Sequence, residues 1–158
     1  MPDFLLPPRV WAGRGNQMNI ITTGTYDLIH PGHINFLSRS SSYGRLIVAL
    51  NSDDFVERHK GKLPIMCYEE RERILSAIRF VSEVVTRDLE DIRHLILSNR
   101  ARALVIGKEW SDDGFMATRC LPFDWLEENK VELICVSTDM DGRLSSTDTR
   151  NRVIERGA

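Results

Sequence analysis

Between an apolar run at positions 18–21 and a periodic segment at positions 34–37, the chain reads Thr22-Thr23-Gly24-Thr25-Tyr26-Asp27-Leu28-Ile29-His30-Pro31-Gly32-His33. This order predicts a buried strand, a glycine turn and a helix that begins at two histidines. A helix N-terminus gathers unpaired backbone N–H groups and the positive end of the helix dipole, so it is a common seat for phosphate. Pro31 suits the first helical position, where its missing N–H is not needed. The sequence therefore points to an anion site at this turn.

The two histidines are open to more than one explanation. His30 and His33 are three residues apart, so both rings can lie at the same end of one helix. A histidine at this position can simply cap the helix, and a pair can bind a metal if a third ligand is available. The other histidines, His59 and His94, do not stand at a supporting spacing. Spacing alone leaves phosphate binding, metal binding and a structural role open.

Strand-like and helix-like segments alternate along the rest of the chain. Strands are predicted at 19–23, 45–51, 81–85, 103–106 and 131–136, and helices at 31–43, 68–79, 89–98, 121–129 and 145–155. This alternation predicts an α/β fold, a Rossmann-like doubly wound parallel sheet of five strands in a single domain. Ligands of such folds bind at the carboxyl ends of the strands, where the strand order reverses. The loops that follow the strands are therefore expected to form one crevice.

Composition narrows the class of protein. The 158 residues suit one domain, with a flexible N-terminal arm at 1–17, where prolines and glycines break any periodicity, and a folded domain at 18–158. A net charge of −2 gives no argument for nucleic acid or an anionic membrane surface. No apolar run approaches the ~20 residues of a membrane span. The three cysteines have neither disulfide nor zinc spacing, which favours reduced thiols in a cytoplasm.

The run from Gly24 to His33, GTYDLIHPGH, resembles the signature of the HxGH nucleotidyltransferases, in particular the cytidylyltransferase branch with its GTFDLLHxGH. Ten consecutive positions match in kind, with Tyr26 in place of phenylalanine. The resemblance implies transfer of a nucleotidyl group from a nucleoside triphosphate to an alcohol phosphate, with release of pyrophosphate. It implies that His30 and His33 stabilise the transition state as hydrogen-bond donors. The implied nucleotide site also includes Thr23, Gly24, Thr25, Tyr26 and Gly32.

A second segment, DGRLSSTDTR at 141–150, starts the last predicted helix. Ser145 and Asp148 form an acceptable capping box, which is a sufficient structural explanation by itself. The segment also resembles the second cytidylyltransferase signature, RxxxISTT, and this implies phosphate contacts from Ser145, Ser146 and Thr147. The arginine of that signature has no counterpart at the matching position, so its role passes to Arg143 or to Arg150.

The middle of the chain adds three smaller matches to the same family. Lys60 and Lys62, in a predicted loop beyond the second strand, and Arg71, in the sequence YEER, match residues that contact phosphates in the family. Without the resemblance they would be two solvated lysines and an arginine on a helix face. Gly107-Lys108-Glu109-Trp110 resembles the GDDW segment that borders the base, which implies nucleotide contacts from Gly107, Glu109 and Trp110.

These matches favour a cytidylyltransferase that uses CTP and a small alcohol or polyol phosphate, most like the glycerol-3-phosphate cytidylyltransferases. They imply Mg²⁺ bound by triphosphate oxygens and water, with no protein metal site, and a homodimer. One alternative is an ATP-dependent adenylyltransferase of the FAD synthetase or heptose-phosphate type. The other is a nucleotide-binding module without catalytic activity, against which the retention of both histidines, Lys60 and Arg71 argues.

Overall fold

The computed structural model describes residues 17–107 and 121–137. Its strands are β1 Asn19–Gly24, β2 Arg45–Asn51, β3 Glu83–Arg87, β4 Ala103–Gly107 and β5 Glu132–Val136. Its helices are α1 Pro31–Ser40, α2 Asp53–Lys60, α3 Tyr68–Ala77, α4 Arg93–Ser98 and α5 Phe123–Glu128. Most of the predicted arm and the predicted helix at 145–155 lie outside the described residues.

All five strands are parallel, in the order β3-β2-β1-β4-β5. The predicted Rossmann-like α/β fold is therefore confirmed. The strand order reverses between β1 and β4, which makes this the topological switch point. β1 pairs with β2 up to Gly24, but its register with β4 covers only Ile20 and Ile21. The sheet is therefore least closed at the carboxyl end of β1, where the histidine-containing turn begins.

Alternate residues of the central strands are buried on opposite faces of the sheet. On one face Ile21 and Ile47 pack with residues of α4 and α5, and on the other Ile20 and Leu46 pack with Leu37 of α1 and residues of α3. β2 is buried on both faces from Leu46 to Asn51. This explains its continuous apolar sequence, since helices cover both sides of a parallel sheet.

One helix is absent from the sequence prediction. α2 begins after Ser52, whose hydroxyl accepts a hydrogen bond from Phe55 N at 3.1 Å, and it is followed by Gly61, which has a φ of 67°. Lys60, expected in a loop, is the last residue of this helix. Its eight residues bury only Phe55 and Val56, so they carry little apolar periodicity. The serine before the helix and the glycine after it are nevertheless ordinary start and stop signals.

Other helix and strand boundaries differ from the predicted ones by a few residues. α1 ends at Ser40 and α3 at Ala77, short of the predicted 43 and 79, while β3 begins at Glu83 and α4 at Arg93. Ser40 bonds back to the Phe36 carbonyl through its hydroxyl at 2.7 Å, an alternative to continuing the helix. Among the described residues, no helix combines the length and apolar composition that crossing a bilayer would need.

Candidate active site

The two histidines close the first turn of α1 as a reciprocal capping box. His30 is the N-cap, and its Nδ1 accepts a hydrogen bond from Gly32 N at 3.1 Å. His33 is the third helical residue, and its Nδ1 accepts from the backbone N–H of His30 at 3.3 Å. Pro31 occupies the first helical position, as predicted. The structural role and the predicted chemical role therefore use different atoms of the same rings.

This arrangement fixes the tautomer of both rings. A neutral imidazole carries one N–H donor and one acceptor nitrogen, and here each Nδ1 is the acceptor. The proton of each neutral ring therefore lies on Nε2. The rings of His30 and His33 are 3.9 Å apart between centroids and tilted by 31°. Two N–H donors thus stand side by side at the positive end of a helix.

His33 is held in its neutral form by its surroundings. Burial, and to a smaller extent the neighbouring His30, lower its pKa from 6.5 to about 4 against the opposing effect of Asp27. Its ring also packs against the buried ring of Tyr26, with centroids 5.2 Å apart. At neutral pH the side chain is therefore a neutral donor rather than a cation.

We expect folding stability to fall as the pH is lowered from 6.5 to about 4. In this window the unfolded chain protonates His33 at its ordinary pKa, whereas the folded protein does not, so acid favours unfolding. The contribution is about 1–3 kcal/mol after allowance for partial exposure. Urea unfolding across this window should show a smaller loss in His33→Asn, which removes the titrating ring and retains an acceptor for the cap. An equal loss in both proteins would contradict the assignment.

The loop between β1 and α1 is held in a specific shape. Tyr26 and Leu28 have positive φ values of 50° and 48°, which are unusual for residues with large side chains. Between them, the buried carboxylate of Asp27 accepts hydrogen bonds from Ile65 N at 2.9 Å and Met66 N at 3.0 Å. Asp27 therefore ties this loop to the segment that precedes α3.

Gly24 has a steric reason to be glycine. A Cβ atom at this position would lie 2.6 Å from a ring carbon of Tyr26. Burial raises the pKa of the Tyr26 hydroxyl, which bonds to Thr22. The absence of a side chain at Gly24 allows the Tyr26 ring to pack over the end of β1 and against His33.

Arg71, for which the family resemblance implies a phosphate contact, makes its described contacts with protein groups. It is fully buried, and its Nη2 pairs with Asp53 Oδ1 at 2.6 Å. Its Nη1 donates to the carbonyl oxygens of Thr25 at 2.6 Å and Asn51 at 3.0 Å, and its Nε donates to that of Met66 at 3.0 Å. Four of its five donor protons therefore bind the protein. In this geometry Arg71 ties the loops after β1 and β2 to α3.

Lys60 is the predicted cation that the structure does bring to the turn. Its Nζ lies 3.5 Å from Thr25 Oγ1. Thr25 is half-buried, and its hydroxyl also accepts from Asn51 Nδ2 at 3.1 Å. Lys62 is exposed in the segment between Lys60 and the residues that Asp27 holds. The carboxyl ends of β1 and β2 and the end of α2 thus meet around one hydroxyl group.

The remaining predicted residues divide into two groups. Thr23 and Gly32 lie at the end of β1 and in the first turn of α1, and Gly107 is buried at the carboxyl end of β4, on the same edge of the sheet. The others lie outside the described residues: Lys108, Glu109, Trp110, Arg143, Ser145, Ser146, Thr147 and Arg150.

The sequence analysis assigned no role to four polar residues of this region: Asp27, Asn51, Asp53 and Arg87. All four lie at or just after the carboxyl end of a strand, which is the signal that could have found them. A cavity of about 330 Å³ opens beside His30, lined also by Ile29, Pro31, Ile34 and Asn35. It lies against the N-terminus of α1 and is large enough for part of a small ligand.

Comparison with known families gives a match over most of the chain. The family described as cytidylyltransferase-like matches residues 21–152. The FAD synthase of Ferroglobus placidus is 30% identical over 143 residues, which cover 87% of this chain and 86% of that protein. The bifunctional protein HldE of Geobacter sulfurreducens is 33% identical over 138 residues, covering 86% of this chain and 27% of HldE. The chain thus spans about a quarter of the length of such HldE relatives.

Solved structures show the same fold at low identity. The lipopolysaccharide core biosynthesis protein of Thermoplasma volcanium superposes with a TM-score of 0.63 at 20% identity, covering 77% of this chain and 96% of that one. The pantothenate synthetase of Thermus thermophilus gives a TM-score of 0.52 at 13% identity, covering 89% of this chain and 67% of that one. At these identities the likeness concerns the fold alone.

Proposed function

The chain belongs to the cytidylyltransferase-like family, as its HxGH run predicted, and on that premise we propose that it is a nucleotidyltransferase. It transfers a nucleoside monophosphate from a nucleoside triphosphate to a small phosphorylated alcohol and releases pyrophosphate. One observation carries this proposal: Nδ1 of His30 and Nδ1 of His33 each accept a backbone N–H at the start of α1, so Nε2 is the donor nitrogen of each neutral ring. Their position at the switch point of a parallel sheet supports it, since ligands of such folds bind there.

In the proposed reaction an oxygen of the acceptor phosphate attacks the α-phosphorus of the triphosphate. A new P–O bond forms, the bond to the oxygen that bridges the α- and β-phosphates breaks, and pyrophosphate leaves with the electron pair. The acceptor oxygen is already ionised, so no strong general base is required. Negative charge grows on the leaving group, and fixed donors that meet it there lower the barrier. His30 and His33 supply such donors through Nε2, and the positive end of the α1 dipole adds to their effect.

The side chains around the turn bring positive charge and fix its position. Lys60 lies at the Thr25 hydroxyl, and Lys62 follows it in the same segment. In the proposed complex they neutralise triphosphate oxygens, the role their counterparts have in the family. Arg71 acts indirectly, since it holds the Thr25 and Asn51 carbonyls in place.

The carboxylates of this region already accept hydrogen bonds from the protein, and this fits a Mg²⁺ ion that arrives bound to the substrate. Both carboxylate oxygens of Asp27 accept backbone N–H groups, and those of Asp53 accept from Arg71 and from Tyr68 N. Among residues 17–107 and 121–137, no group of three potential ligands could hold a metal ion. The ion would be bound by triphosphate oxygens and water, and would offset their charge during transfer.

Two nucleoside triphosphates, CTP and ATP, are candidates for the nucleotide substrate. CTP, with an acceptor such as glycerol 3-phosphate, is supported by two resemblances to the cytidylyltransferases. The segment RFVSEV at 79–84 resembles the family's RYVDEV, and the serine-threonine segment at 144–147 resembles its ISTT. ATP is supported by a separate observation: relatives named FAD synthase align over most of both chains, and FAD contains an AMP unit. The segment predicted to border the base, 108–110, lies outside the described residues. A homodimer also belongs to this proposal, and sedimentation analysis would test it.

The proposal is tested by measuring pyrophosphate release. The protein is incubated with Mg²⁺, either CTP or ATP, and one of a panel of acceptors that includes glycerol 3-phosphate, sugar phosphates and flavin mononucleotide. Release with CTP alone supports a cytidylyltransferase, and release with ATP alone supports an adenylyltransferase. Binding of either nucleotide without release under any combination would instead favour the non-catalytic module and would contradict the proposed activity.

A further inference from the structure

Arg87, the last residue of β3, carries a buried charge that the proposed reaction does not use. Its side chain has no exposed surface, and its guanidinium stacks over the Phe55 ring at 4.3 Å. Its Nε donates to the Leu89 carbonyl at 3.1 Å and its Nη2 to that of Glu90 at 2.9 Å. Within the described ranges, none of its ion-pair or hydrogen-bond partners is a carboxylate. A buried cation held by neutral groups is costly, so the position needs an explanation.

The third donor group of Arg87 reaches the end of the neighbouring strand. Its Nη1 lies 3.4 Å from Oδ1 of Asn51, which is 5% exposed. A guanidinium can only donate hydrogen bonds, so the amide oxygen of Asn51 must face it and the amide nitrogen must face away. The reverse orientation would set an NH₂ group against a cation. Arg87 therefore fixes which end of the Asn51 amide points toward the loop after β1.

The orientation of the Asn51 amide in turn determines the hydrogen bonding of Thr25. Asn51 Nδ2 donates to Thr25 Oγ1 at 3.1 Å, and Lys60 Nζ, also a pure donor, approaches the same oxygen at 3.5 Å. A hydroxyl oxygen has two lone pairs and one proton. With both lone pairs facing donors, the proton of Thr25 is directed to a third partner. Asn51 and Lys60 are the side-chain partners of this hydroxyl in the described part of the chain, and neither of them accepts that proton.

We propose that Arg87 is a positioning residue, which acts through Asn51 to make the Thr25 hydroxyl a donor to a phosphate oxygen of the nucleotide. The relay runs in one direction, from the guanidinium through the amide to the hydroxyl, and each bond polarises the next. The identity of its ligand rests on the proposed function. The relay adds a side-chain contact at Thr25 to the backbone contacts that the HxGH resemblance implies there.

The variant Asn51→Asp separates this role from a structural one. A carboxylate at this position gives Arg87 an anionic partner, so the melting temperature should stay at or above that of the wild type. It cannot donate to Thr25, whose hydroxyl then turns toward the carboxylate. The Kd for CTP or ATP, measured by calorimetry, should rise about 10-fold, and the KM should rise with it. Unchanged nucleotide affinity in a folded Asn51→Asp protein would overturn the proposal.

A cycle with Thr25→Val provides the second test. This substitution removes the hydroxyl, so adding Asn51→Asp to it should weaken binding no further, and an independent second loss would overturn the relay. Arg87→Gln retains a donor for Asn51, so this variant should bind nucleotide more tightly than Arg87→Leu. Equal binding by the two variants would also contradict the relay. Failure of the proposed function is distinguishable, because the wild type would then transfer no nucleotidyl group. If the relay alone fails, wild type and Asn51→Asp transfer equally well.

Discussion

Replacing His33 by asparagine is expected to lower kcat by about 100- to 1000-fold while folding stability stays close to that of the wild type. The asparagine side chain can place an oxygen near the position of Nδ1 and so accept the His30 N–H, which keeps the capping box. It is too short to replace the Nε2–H donor. Steady-state pyrophosphate release and urea unfolding, measured on the same preparation, separate the two functions of the ring.

The variant His33→Gln should have the opposite effect, since it keeps the distal donor and loses the acceptor for the cap. Its amide nitrogen can reach the position of Nε2, while the acceptor for the cap is lost at a cost of about 1 kcal/mol. We expect this protein to be less stable than His33→Asn and more active. His94→Asn is the matched control, since His94 is exposed, contacts the Asp91 carbonyl, and lies in α4, which packs on the opposite face of the sheet from α1. Full activity in His33→Asn would show that the distal N–H takes no part in the reaction.

Replacing Arg71 by methionine is expected to destabilise the protein by about 3–5 kcal/mol, because it removes a buried guanidinium together with its ion pair and its three hydrogen bonds to backbone carbonyls. The substitution removes the partner of Asp53 and leaves the Thr25 and Asn51 carbonyls without a donor. Each of these groups lies at or just after the carboxyl end of a strand, so activity should fall together with stability. Urea unfolding measures the first effect, and KM and kcat measured well below the unfolding transition measure the second.

Arg73→Met is the control, since Arg73 is exposed on the same helix and carries the same charge. It should change stability by no more than about 0.5 kcal/mol. The phosphate-binding role expected from the sequence makes a different prediction for Arg71→Met. A protein of normal stability with a raised KM for nucleotide would restore that role and contradict the structural one.

The sequence predicted the architecture well, because the apolar pattern of each strand records how the strand is buried. The continuous apolar run of β2 and the alternation of strands with helices follow directly from a parallel sheet with both faces covered. Prediction failed at α2, whose two buried residues leave almost no periodic signal. There the relevant information lay in Ser52 and Gly61, which mark a helix by its ends.

The direction in which a long polar side chain points was harder to predict. Arg71 lies on a helix whose sequence suggests a solvated face, yet it turns inward to four partners, three of which are distant along the chain. Asp27 belongs to the most recognisable run of the chain, and its partners are 38 and 39 residues away. Such contacts join segments distant in sequence, so local spacing holds no record of them.

The sequence by itself determined the parallel α/β sheet, the turn with two histidines at the end of its first strand, and membership of the cytidylyltransferase-like family. These follow from local patterns of burial, glycine and proline. Only the tertiary structure decided which ring nitrogen of each histidine is the donor, that Arg71 is buried, and that Arg87 sets the orientation of Asn51. The physical reason is that the direction of a hydrogen bond depends on which donors and acceptors meet in space. The ends of β1, β2 and β3 are far apart in the sequence, and only folding brings them together.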